Sequence, residues 1–249
     1  MARNLRATIL TSVAPTGLLA LAGLLGLAGC QMQLGDTGNP PLLVPGAPLP
    51  ADVNPESLNR MAPVKYEDLD ELGKEVYEQL GGAGSYAVEK GPGGLSLHSS
   101  GVANGMNVLN SYLRGGHTAL TAAQTQLAIL VASREMDQAY EWSGHEPDAR
   151  EAGVDEEAIN IVKNDLDILG ISKEDANIIR MGRQLFRNHN LTPDVWARTV
   201  EYFGDQGAFE LTAVMGDYAM AAIMLHAVNQ QIPPERTATL PARPGTVIE

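Results

Sequence analysis

Glu141 and His145 stand four residues apart in the run Tyr140-Glu141-Trp142-Ser143-Gly144-His145. A helix sets such a pair on one face, about one turn from each other. A carboxylate beside an imidazole raises its pKa and fixes its tautomer, and burial near Tyr140 and Trp142 would move both groups toward working pH. The pair can therefore serve as acid and base in proton transfer. The same spacing also describes an exposed helix pair worth only a few tenths of a kcal/mol.

Other chemistries fit these residues less well. Two side chains at i and i+4 suit two metal ligands, but a catalytic zinc needs three, and His145-Glu146-Pro147-Asp148-Ala149 is not His-Glu-x-x-His. No metal is expected. Ser143, two residues from His145, would face away from it on a helix, and no Gly-x-Ser-x-Gly elbow occurs. Cys30 is the only cysteine, which leaves the folded part without a thiol nucleophile or a disulfide.

The elements that must position the pair are two helices with a break between them. Thr121 can cap the first, with Gln124 three residues on completing a capping box, and the apolar run Leu127 to Ala132 carries it to about Met136. Asp137 reads as the cap of the second helix and Gly153 as its stop. In one unbroken helix Gln126 and His145 would lie roughly 28 Å apart, at about 1.5 Å per residue. Folded back as an antiparallel hairpin they can face each other.

Around this hairpin the chain reads as all-α. Helical spacing runs from Asp68 to Leu80 and again over about 101–113, with Gly91-Pro92-Gly93-Gly94 as a loop between. That loop has neither the lysine nor the preceding strand of a phosphate-binding loop. His98 follows it as a candidate site residue or a loop histidine bonded to backbone. Asp155 opens a helix with Ile159, Ile161, Val162, Leu166 and Leu169 on its apolar face, ended by Gly170, and Ser172 opens the next, which ends before Asn188. Pro193 starts a helix to about Phe203. The last helix, about 207–229, carries Leu211, Val214, Met215, Tyr218, Ala222, Leu225 and His226 as a stripe and Gly216, Ala219, Ala221 and Ala227 opposite, so it is either central or a subunit contact.

Residues 1–29 read as a signal peptide: Arg3 and Arg6, then an apolar stretch from Leu18 to Ala28, too short for a comfortable bilayer span. Leu27-Ala28-Gly29-Cys30 resembles a bacterial lipobox, which implies lipidation of Cys30 and a bacterial cell-envelope location outside the inner membrane. Residues 30–63, rich in Pro, Gly, Asn and Asp, read as a solvated tether, 64–234 as the domain, and 235–249 as a loose tail. The formal charge of −13 deepens once the two N-terminal arginines are removed, so a nucleic-acid partner is not expected.

Gln126 to Glu135, Tyr140 to His145 and Ala149-Arg150-Glu151-Ala152-Gly153 together resemble the carboxymuconolactone decarboxylase family, which also holds the alkylhydroperoxidase D-like proteins. Leu97-His98-Ser99, Phe209-Glu210-Leu211 and Gly216-Asp217-Tyr218 extend the likeness over roughly 63–234. The resemblance implies a compact multi-helix alkylhydroperoxidase D-like fold, homo-oligomers (trimer or hexamer) and no organic cofactor. His145 aligns with the histidine of the peroxidase relay, but the two cysteine positions are Gln138 and Glu141 here and the upstream glutamate is Gln126. A self-contained thiol peroxidase is therefore excluded. What the decarboxylase side of the family implies is lyase or lactone-opening chemistry on a small carboxylate, with His145 and Glu141 catalytic. Tyr140, Trp142 and Tyr218 are then expected as pocket walls, Gln126 as a hydrogen-bonding group, and Arg134 as a candidate carboxylate holder or a solvated charge. The competing expectation is a membrane-tethered scaffold that kept the fold after losing its thiols.

Overall fold

The structure, a computed structural model, describes residues 48–243. The signal segment, Cys30 and the first part of the tether lie outside the described residues. Among those described there are nine α-helices, one 3-10 turn and no strand beyond an isolated bridge between Asn54 and Asn59. The all-α expectation holds.

Local chemistry starts most of these helices. After a 3-10 turn at Tyr66–Asp68, α1 (Glu71–Gln79) is capped by Asp70, whose carboxylate accepts from the Gly73 amide at 2.7 Å. Then α2 (Tyr86–Glu89) and α3 (Pro92–Ser96) follow as short turns of helix. The stretch read as a loop is thus largely helical from Pro92 onward. Its glycines serve contact: a side chain at Gly94 would run into the Val88 carbonyl of α2. Next, α4 (Ser100–Arg114) lies along α1, where Gly73 leaves room for the Ser100 hydroxyl.

α5 (Ala122–Glu135) is the central helix. Its capping box is present in full, with Gln124 N bonded to Thr121 Oγ1 at 3.2 Å and Thr121 N to Gln124 Oε1 at 2.9 Å. Leu127 to Arg134 are all buried, because α5 packs on α6, α7, α8 and α9 and has no solvent face along this stretch. α6 (Ala139–Glu151) doubles back after a three-residue turn. Asp137, expected as the cap of α6, instead adopts the left-handed conformation at φ 50°, and Gln138 caps α6 through a bond from the Tyr140 amide to its side chain at 3.1 Å. A reversal this short needs one residue at positive φ, and Asp137 supplies it.

α7 (Glu156–Lys163) is shorter than its apolar pattern suggests. It stops at Asn164, Asp165 turns left-handed at φ 53°, and Leu166 and Leu169 are exposed. The Asp165 carboxylate bridges Arg183 and Arg187 of α8 (Lys173–Asn188) at 3.1 and 2.6 Å, which holds the chain in that turn. α8 lies close on α5, where a side chain at Gly182 would collide with Val131. Finally α9 (Pro193–Ala227) runs through an interruption at Gly204 (φ 68°, ψ 175°), which is the break read between the last two helices. Its buried stripe of Leu211, Val214, Met215, Tyr218, Ala222 and Leu225 faces the core. His226 does not join that stripe; it is exposed and bonds the Met136 carbonyl at 2.8 Å.

Packed chain extends past both ends of the span read as the domain. Val53 and Leu58 are buried, and Arg60 N donates to the Val228 carbonyl at 2.8 Å, so residues 53–61 sit against the end of α9. At the other end Leu240 enters the core, Arg134 Nη1 donates to the Pro241 carbonyl at 2.6 Å, and Thr239 bonds Glu146. A few apolar anchors and backbone acceptors suffice to order such a strap although its composition is that of a tail.

Candidate active site

A cavity of about 310 Å³ opens between α4, α6, α9, the α2–α3 turn and the C-terminal strap. Glu141 and His145 both look into it from α6, and Tyr218 and Asp217 enter from α9. The chain reversal brings Gln126 of α5 beside α6, and its side chain lies 3.0 Å from His145 Nδ1. With Gln126 Oε1 as acceptor, Nδ1 carries the imidazole proton and Nε2 is left as the basic nitrogen. That Nε2 is 3.6 Å from Glu141 Oε2. The Tyr218 ring meets the imidazole edge-on at 5.0 Å, which fixes its plane from the other side.

Electrostatics make this a neutral pair rather than an ion pair. Burial pushes the Glu141 carboxyl up to about 7; Arg236 and Arg114 pull it back, and Asp217 adds to the rise. Burial likewise pushes His145 down to about 3, with Arg114 and Arg236 adding to the fall. Near neutral pH the imidazole is therefore uncharged and Glu141 exchanges its proton. Glu141 Oε1 is buried without a hydrogen-bond partner. Asp217 is also raised by burial, against a bond from Asn110 at 3.0 Å and the charge of Arg114.

The other expected site residues divide. Tyr140 lines the cavity, with its hydroxyl donating to the Lys90 carbonyl at 2.6 Å. Trp142 does not: one residue past Glu141 it points to the opposite side of α6, is fully buried, and donates to Glu146 at 2.9 Å. Arg134 is buried away from the cavity, tied to the strap at Pro241 and to Asp137 at 3.4 Å. His98 is exposed and outside the lining. Among the described residues no three His, Cys, Asp or Glu side chains converge as a metal site requires.

Arg114, Asp217 and Arg236 belong to the lining and went unassigned from sequence. Asp217 carries a legible signal, since it and Glu210 are the only charged residues between 206 and 225 of α9. Arg114 and Arg236 carry none, because each reaches the cavity only through long-range packing.

No curated protein sequence matches the chain. The carboxymuconolactone decarboxylase family model matches residues 102–176, a span that includes Arg114, Gln126, Glu141 and His145. That match runs from α4 to the start of α8, so the part of the chain built on the α5–α6 hairpin is similar to the carboxymuconolactone decarboxylase family.

Proposed function

We propose that the protein catalyses proton transfer on a small carboxylate, as a lyase or a lactone-opening enzyme. Glu141 is the group that gives and takes the proton. His145, held neutral, sets its Nε2 3.6 Å from Glu141, beside the reacting carboxyl. The observation that carries this reading is a cavity-lining glutamate with one buried, unsatisfied oxygen, pushed by burial up to about 7, next to an imidazole whose tautomer Gln126 sets. A general acid–base works best when its pKa lies near the operating pH. The scaffold alternative would be favoured by a closed core with both side chains in structural bonds; the open cavity and the unpaired oxygen support the enzyme instead.

The test is deuterium incorporation. The chain is incubated in D2O with a panel of small unsaturated carboxylates and their lactones, and carbon-bound deuterium or ring opening is read by NMR. Glu141→Gln and His145→Ala should each abolish whatever the wild type catalyses. Unchanged turnover in either variant sinks the assignment.

The proposal extends to place and assembly. The lipobox-like Leu27-Ala28-Gly29-Cys30 supports a lipid-anchored domain in a bacterial cell envelope, with the membrane as its partner through Cys30. A row of exposed apolar side chains on α9, Phe209, Met220 and Ile223, beside Val108 and Leu109 on α4, supports a homo-oligomer built on that face.

A further inference from the structure

We propose that Arg236, carried into the cavity by the C-terminal strap, is the residue that anchors the ligand's carboxylate. Only the placing of the ligand's reactive end against Glu141 and His145 rests on the function proposed above. The anion-holding role stands on the surroundings of the guanidinium itself.

Those surroundings form a seat that sets no carboxylate in ion-pair contact with its charge. The guanidinium carbon lies over the Tyr86 ring at 4.5 Å and the Tyr140 ring at 4.9 Å, so two aromatic faces hold its plane. Its edge rests on α6 at Gly144, where an added Cβ would come within 2.8 Å of Nη1. The glycine between Glu141 and His145 in the motif thus makes room for the arginine. The one protein hydrogen bond Arg236 makes among the described residues through its side chain is a long one, Nη1 to the Tyr140 carbonyl at 3.5 Å. Among the described residues no carboxylate lies within 4.0 Å of it. Its remaining donors are left for a ligand.

Each neighbouring cation faces a carboxylate of its own. Lys90 pairs with Glu235 at 3.1 Å, and Arg114 faces Asp148 at 3.8 Å. The strap itself is pinned on both sides of Arg236. Its amide closes a turn on the Pro233 carbonyl at 2.9 Å, and Leu240, the Pro241 carbonyl and Arg243, which meets Glu135 at 3.2 Å, fix the chain beyond. An anion acceptor on a pinned strap is pre-organised, so little ordering is left for binding to supply. It also answers the chain's net charge of −13, which opposes the approach of any carboxylate unless the site carries local positive charge. The lining, with tyrosine faces and a volume of about 310 Å³, suits a flat monocyclic or short unsaturated carboxylate.

Calorimetric titration of the full chain with benzoate and with benzamide, its neutral isostere, tests the role. Wild type should bind benzoate at least about tenfold more tightly than benzamide. Arg236→Gln should erase that preference by weakening benzoate about tenfold or more while leaving benzamide within about twofold. Arg236→Lys, which keeps the charge and loses the fork, should fall between. Gly144→Ala keeps Arg236 but pushes it off its seat, and should weaken benzoate with little change in the urea midpoint. Benzoate affinity unchanged in Arg236→Gln, no preference for benzoate in wild type, or no binding by tens of millimolar would each overturn the proposal. An Arg236-dependent affinity with no proton exchange in wild type would discard the chemistry and leave the anchor standing, and exchange that is indifferent to Arg236 would do the reverse.

Discussion

Replacing Glu141 by Gln should stabilise the protein at high pH while destroying its chemistry. The glutamine amide has nearly the shape of the protonated carboxyl, so the variant resembles the neutral form of the site at every pH. In the wild type the folded carboxyl holds its proton up to about 7, whereas the unfolded chain releases it near 4.5. Well below pH 4.5 both states carry the proton and the two proteins should unfold alike. Between there and pH 7 the unfolded state binds fewer protons than the folded one, so wild-type stability falls as pH rises. Moving a carboxyl from 4.5 to about 7 corresponds to about 3 kcal/mol, at about 1.4 kcal/mol per tenfold change in proton affinity. Urea unfolding at matched protein concentration should then show Glu141→Gln about 3 kcal/mol more stable than wild type at pH 8, and equal to it well below pH 4.5. Equal stability at pH 8, or a less stable variant there, would mean that the carboxyl is not held neutral by burial, and the acid–base reading would go with it.

Three more outcomes follow from the same geometry. The histidine shifts in the opposite sense: the unfolded chain takes a proton below 6.5 that the folded site refuses down to about 3, so wild-type stability falls as pH drops through that window. His145→Gln should lack this loss and differ from wild type by about 3 kcal/mol between pH 7 and pH 4 in urea unfolding. Burial pushes Glu146 up, but bonds from Thr239, Lys163, Arg150 and Trp142 outweigh it and hold the carboxyl at about 2. Glu146→Ala should cost about 3 kcal/mol at pH 7 by thermal or urea melts, and it should also weaken benzoate, since Thr239 holds the strap that bears Arg236. Charging the exposed apolar row with the double change Phe209→Glu and Ile223→Glu should lower the mass measured by analytical ultracentrifugation to that of one chain, with no loss of helical circular dichroism.

What sequence alone determined here is what short-range spacing encodes. The capping box at Thr121, the stop at Gly153, the break near Gly204 and the i, i+4 placement of Glu141 and His145 each depend on residues within a turn or two, where backbone geometry leaves few alternatives. The hairpin was legible for the same reason, although its turn residue was not: Asp137 is the better cap by residue type, but the tightness of the reversal set it at positive φ and left the cap to Gln138. Only tertiary structure decided which side of α6 meets a cavity. Trp142 and Glu141 are neighbours in the chain, yet packing of α6 on α5 sends one into the core and the other into the hollow. Packing also withdrew Arg134 to the strap and delivered Arg236 from a segment with the composition of a tail, across more than ninety residues of chain. No spacing rule reaches that far, because a contact between distant segments is set by how every intervening helix packs and not by the residues at its two ends.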